Sequence, residues 1–125
     1  TFGGNPFVCG VALAVCEAVE KLDLATNVQA RGQELRQGLE QFVSQYPQWF
    51  DHVRGWGLIN GLVLQPEASI TSIDVVKAAM AEGLLVVPAG PQVVRLVPPL
   101  IVSAAEVQKA VALLGQAIAR LESAT

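Results

Sequence analysis

Proline and glycine cut this chain of 125 residues into short pieces, and the hydrophobic period changes from one piece to the next. The breaks fall at Asn5-Pro6, Tyr46-Pro47, Gly55, Gly57 and Gly61, Gly83, Pro88 and Pro98-Pro99. Between them, apolar residues recur at helical spacing before Tyr46, in branched and Gly-interrupted runs from Val53 to Leu64 and from Leu84 to Val97, and at helical spacing again after Ser103. A helix, helix, strands, helix, strands, helix order specifies an α+β architecture, a small antiparallel or mixed sheet with helices packed on one face.

The first helix is expected to start at Pro6. Asn5 is a good N-cap because its side-chain oxygen accepts from an orphan helix amide, and Pro6 suits the first helical position, where its missing N–H is not needed. Phe7 to Cys16 is strongly apolar. It has no basic segment before it and is shorter than the roughly 20 residues that cross a bilayer, so it reads as a buried helix. Cys9 and Cys16, seven residues apart, would sit about 10 Å apart on that helix, beyond the roughly 7 Å limit for a disulfide. Two unpaired thiols fit a reducing cytosol, and a cytoplasmic location is expected.

A second helical pattern runs through Leu24, Val28, Leu35, Leu39, Phe42 and Val43, with Gln29, Arg31, Gln33, Glu34, Arg36, Gln37 and Glu40 as its solvated face. Tyr46-Pro47 ends it. Val53 onward reads as a strand, a tight turn or bulge near Gly55 and Gly57, and a strand from Leu58 to Leu64. Thr71 or Ser72 caps a helix from Ile73 to Ala81, with Gly83 as its stop. Leu84–Val87 and Val93–Val97 form a hairpin around a turn at residues 88–92, and Ser103 opens a capping box with Glu106 for the last helix.

Composition is 52% hydrophobic with a net charge of −3, enough apolar material for a core. Five arginines and three lysines are scattered, leaving no basic stripe for nucleic acid or an anionic membrane. A single histidine and no Cys-x-x-Cys spacing argue against a metal site. Gly55-x-Gly57-x-x-x-Gly61 is one residue too long for the dinucleotide fingerprint and opens no helix, so a Rossmann site is rejected.

Two places can carry chemistry. Thr1-Phe2-Gly3-Gly4 lies at the positive end of the first helix and reads either as a Gly-rich turn with no ligand or as an anion site with the Thr1 hydroxyl as donor. Arg95 lies mid-strand between Val94 and Leu96, where a charge is expensive to bury unpaired, so it either faces solvent or has an acidic partner. Arg54 reads as a surface ion-pair residue with Asp51 or another acid, His52 as a surface histidine, and Trp49, Phe50 and Trp56 as core or interface anchors.

Thr1 to Pro6 and the helix behind it resemble a segment of the class III pyridoxal-phosphate-dependent aminotransferases. Val53-Arg54-Gly55-Trp56-Gly57-Leu58-Ile59-Asn60-Gly61 is similar to that family's Arg-Gly-x-Gly-Leu-x-x-Gly segment. So is the block from Ala81 to Gly90 and on to Arg95-Leu96-Val97-Pro98-Pro99, which is most like the acetylornithine-type branch. The resemblance covers essentially the whole chain. It implies the C-terminal region of a fold-type I transferase, residues 1–22 as a connecting helix and 23–125 as the small C-terminal domain. It also implies a homodimer, with Thr1 binding the cofactor phosphate across the interface and Arg95 binding the substrate α-carboxylate. Pyridoxal 5'-phosphate is the implied cofactor of the full-length protein.

The implied reaction moves an amino group between N-acetylornithine and 2-oxoglutarate in arginine biosynthesis, with ornithine or another ω-amino acid as the alternative donor. The family's Schiff-base lysine matches none of Lys21, Lys77 and Lys109 and is expected upstream. This chain alone is therefore expected to be inactive and not to hold the cofactor stably. A free-standing interaction module, with the apolar first helix as its partner surface, is the competing non-enzyme expectation.

Overall fold

The computed structural model describes residues 1–124. It contains α1 (Pro6–Lys21), α2 (Leu24–Gln45), β1 (Phe50–Trp56), β2 (Ile59–Leu64), α3 (Ser72–Ala81), β3 (Val87–Pro88), β4 (Val93–Leu96) and α4 (Ala104–Ala124). The four strands form one sheet in the order β1-β2-β4-β3, and every neighbouring pair is antiparallel. Of the two arrangements expected, the antiparallel one is present. α3 crosses between β2 and β4, so strands far apart in sequence lie side by side at the middle of the sheet.

Local chemistry explains where the elements begin and end. Asn5 Oδ1 accepts from the Val8 amide at 3.0 Å and starts α1. Thr71 caps α3 through a full capping box with Asp74, and Ser103 does the same for α4 with Glu106. Gly57 and Leu58 turn β1 into β2, with positive φ at Gly57, the position of a two-residue hairpin where glycine is favoured. The same turn lies hard against α2: a Cβ on Gly32 would land on the Gly57 carbonyl.

The core fills the space between one sheet face and helices α2, α3 and α4. Leu62, Leu64, Val94 and Leu96 from the sheet meet Leu35, Leu39, Val75, Ala79, Leu114 and Ile118 from the helices, all essentially buried. β1 begins at Phe50 rather than Val53, because Phe50 and Trp49 anchor in this core and Trp49 Nε1 donates to Ser69 Oγ at 3.2 Å. The strand expected from Leu84 pairs only at Val87 and Pro88, since Val86 turns into the core instead of continuing the ladder.

Three readings of the sequence change. α1 has no buried residue; Phe7 is 80% exposed, and both cysteines are exposed with it. Its main contact is α2 alone, so the described residues of this chain do not bury it, and the buried reading holds only for cover from outside this chain. The polar stripe of α2 is also not simply solvated. Arg36 donates to the carbonyls of Val53 and Gly55, at 3.3 and 2.6 Å, and ties the helix to β1. Trp56, finally, is 91% exposed because it stands, like Arg54, on the sheet face opposite the helices, so of its core and interface alternatives the core one is removed.

Candidate functional site

That opposite face is the functional candidate. Strand side chains alternate, so when Val53, Leu62 and Val94 pack under the helices, Arg54, Gly61 and Arg95 stand on the open side. Register aligns them: Arg54 pairs with Gly61, Gly61 with Arg95, and Arg95 with Val87, one row across all four strands. A shallow hollow of about 310 Å³ lies over this row, lined by Arg54, Gly61, Ala89, Val93 and Arg95 among others.

Arg95 is exposed, and among the described residues neither its guanidinium nor that of Arg54 has an ion-pair or hydrogen-bond partner. Of the two alternatives open for Arg95, the structure takes the solvent-facing one. The ion pair expected between Arg54 and Asp51 does not form. Asp51 meets its neighbour His52 instead, Oδ2 to Nδ1 at 2.7 Å, both on the surface. Among the described residues no carboxylate lines the hollow, and the charged side chains that do are both arginines.

Thr1 lies elsewhere. It is exposed ahead of α1, does not line the hollow over Arg95, and is followed by Gly3 and Gly4, around which a Cβ would meet nothing within 4 Å. The turn is held by Asn5, whose Nδ2 donates to the Phe2 carbonyl at 2.7 Å while its Oδ1 caps the helix. Lys21, Lys77 and Lys109 are exposed on α1, α3 and α4; Lys21 pairs with Glu17. No group of three or more His, Cys, Asp or Glu side chains gathers among the described residues.

Sequence reasoning missed the device that fastens the loop after β4. Asn27 on α2 donates from Nδ2 to the carbonyls of Leu100 and Val102, at 2.8 and 3.1 Å. An asparagine early in a helix gives no hint of partners so distant in sequence. Ser103 was legible as a cap; of the two candidates Thr71 and Ser72, Thr71 takes the role, so α3 starts at Ser72 rather than Ile73. The hydrogen bonds of these two caps hold Asp74, mainly through the Thr71 side chain, and Glu106, mainly through the Ser103 backbone, below the ordinary carboxylate range.

A small antiparallel sheet with helices on one face is the build of a domain from the pyridoxal-phosphate-dependent aminotransferase fold. The chain belongs to the class III aminotransferases: the family's model, Aminotransferase class-III, matches residues 1–118. It is 59% identical over 121 residues to the acetylornithine aminotransferase of Thermosynechococcus vestitus, covering 97% of this chain and 29% of that protein. The chain thus spans under a third of that relative's length.

Among solved structures it superposes on N-acetylornithine aminotransferase from Stenotrophomonas maltophilia with a TM-score of 0.88 at 32% identity, covering 98% of this chain and 34% of that one. Against the ornithine aminotransferase of Toxoplasma gondii the TM-score is again 0.88, at 29% identity over 98% of this chain and 29% of that one. The latter structure is described as having partial occupancy of PLP at the active site. The residues present here fit one part of such a cofactor. An exposed hydroxyl at Thr1, beside glycines that leave open space at a helix N-terminus, suits its phosphate.

Proposed function

We propose that this chain is the C-terminal region of an aminotransferase that uses pyridoxal phosphate to move an amino group between N-acetylornithine and 2-oxoglutarate, a step of arginine biosynthesis. The observation that carries this reading is Arg95, an unpaired guanidinium on the open sheet face of a chain matched over nearly its whole length by class III aminotransferases. Arg95 takes the substrate α-carboxylate, because its planar fork donates two parallel charge-assisted hydrogen bonds and so fixes orientation as well as charge. Thr1 donates its hydroxyl to the cofactor phosphate across a homodimer interface. Pyridoxal phosphate, when bound, would supply the electron sink at the carbon that bears the transferred amino group.

The lysine that bonds the cofactor and moves the proton is, on this reading, supplied by the part of the full-length protein outside this chain. The chain by itself is then inactive, and the working protein is a cytoplasmic homodimer. Ornithine is the second donor to consider, since the Toxoplasma enzyme superposes as well as the Stenotrophomonas one. Both donors run against the same glutamate half-reaction, whose α-carboxylate Arg95 takes, so Arg95 does not choose between them.

The test is amino transfer by the purified full-length protein, with N-acetylornithine, ornithine or another ω-amino acid as donor and 2-oxoglutarate as acceptor. Turnover with N-acetylornithine at a kcat/KM at least about tenfold above ornithine supports the reading. Preference for ornithine replaces the donor, and no glutamate formed from any donor by the cofactor-loaded protein overturns it.

A further inference from the structure

Arg54 and Gly61 both belong to the Arg-Gly-x-Gly-Leu-x-x-Gly segment, yet the chemistry proposed so far uses neither. The sheet brings them into one row with Arg95, in the order Arg54, Gly61, Arg95, on the face away from the helices. We propose that Arg54 is a second arginine of the substrate-carboxylate site, and that Arg54 and Arg95 clamp one carboxylate between them above Gly61. The inference rests on the aminotransferase reading and adds a residue to the site that reading defines.

Three observations carry it. First, the Arg54 guanidinium has no partner among the described residues; Asp51, the nearest acid in sequence, is taken by His52. Two bare cations on one sheet face repel each other, and two strand spacings, about 9.5 Å, separate their backbones, which is on the order of one Debye length at physiological salt. An anion between them turns that repulsion into attraction. Second, the residue between them has no side chain. A Cβ at Gly61 would come within 3.0 Å of Val93 Cγ1 and 3.7 Å of Arg54 Cγ, so any larger residue would push into the floor of the hollow both arginines line.

Third, the stoichiometry of hydrogen bonding fits. A carboxylate offers about four lone-pair directions, and one bidentate arginine uses two of them. Arg95 on one flank leaves the outer pair for Arg54 on the other. A gap of two strand spacings suits one carboxylate taken from both sides and is short for two carboxylates at the ends of an extended five-carbon chain. Arg54 is therefore placed on the same carboxylate as Arg95.

The test uses the full-length enzyme loaded with pyridoxal phosphate, and pentanoate, a carboxylate without an amino group, titrated by calorimetry. Arg54→Gln should raise the Kd for pentanoate about tenfold, and Arg54→Lys, which restores the charge without the fork, should recover part of that loss. Reaction with n-butylamine, which has no carboxylate, should keep its rate, and Tm should stay within a few degrees of the parent.

An unchanged pentanoate Kd in Arg54→Gln, with the expected weakening in Arg95→Gln, overturns the role of Arg54 and leaves that of Arg95 standing. An unchanged Kd in both variants overturns the carboxylate site altogether. Equal losses with n-butylamine and glutamate make Arg54 a structural residue and likewise overturn the clamp.

Discussion

Arg95 carries a charge in the middle of a strand whose flanking residues, Val94 and Leu96, are both buried. Alternation alone takes it to the other face, and that much was legible in the sequence. The identity of its neighbours was not, because register across strands depends on how the sheet closes. The anchors Arg36 and Asn27 were illegible for a related reason: their partners are main-chain carbonyls, which look the same in every sequence.

Residue roles separate cleanly in a pair of variants of the full-length protein. Arg95→Lys keeps the charge and loses the fork, and losing charge-assisted bonds worth about 1.5–3 kcal/mol should lower kcat/KM for glutamate by roughly one to two orders of magnitude. Cofactor content should hold. Thr1→Ala should do the opposite, loosening the cofactor, read by its loss on dialysis, while the glutamate dependence of the loaded enzyme barely moves. Release of cofactor by Arg95→Lys would make Arg95 a structural strand residue.

At the scale of elements, capping chemistry made the helix starts the most readable boundaries in the chain. Asn5 and Ser103 each cap where their sequence context says they should, and Thr71 is one of the two candidates the sequence offered for α3. The β1–β2 hairpin was equally legible from Gly57, whereas the β2–β4 contact was not, since no local signal marks strands joined by a helical crossover. Leu84 to Val86 misled because an apolar run looks alike whether it pairs in a sheet or packs beneath one.

The two capping boxes set an acid limit on stability. Asp74 and Glu106 have folded-state pKa values below their ordinary ones, so their contribution is complete above the ordinary carboxylate range, near pH 4, and is lost as pH falls through the lowered values. Urea midpoints measured between pH 7 and pH 2 should fall on the acid side for the parent. The double variant Asp74→Asn, Glu106→Gln should be less stable at pH 7 and show a flatter acid limb. Parallel curves for the two proteins would show that the caps do not titrate with folding.

On the scale of the whole molecule, α1 is the anomaly. Phe7, Val8, Val11, Leu13 and Val15 are all exposed on a helix whose composition led the sequence to be read as buried. Periodicity reports what a helix would prefer to cover, and none of the described residues buries it. Contiguous apolar patches above a few hundred Å² are unusual on monomers, so this chain in isolation should form dimers or larger species in light scattering. Replacing Val11 and Val15 with glutamate should shift it toward monomer. A parent chain that stays monomeric at high concentration would show that α1 folds back on the body in solution.

The order of the strands also has a consequence in time. β1 and β2 are joined by two residues and can close as a hairpin within about 1–10 μs, but β4 reaches the β2 edge only after α3 has crossed over. Arg54 and Gly61 are therefore neighbours from the earliest hairpin, and Arg95 arrives with the longest loop closure in the sheet. The row of residues above the open face is finished last. A carboxylate held there would favour the closed sheet over the open hairpin, so substrate would act as a late brace on folding as well as a reactant.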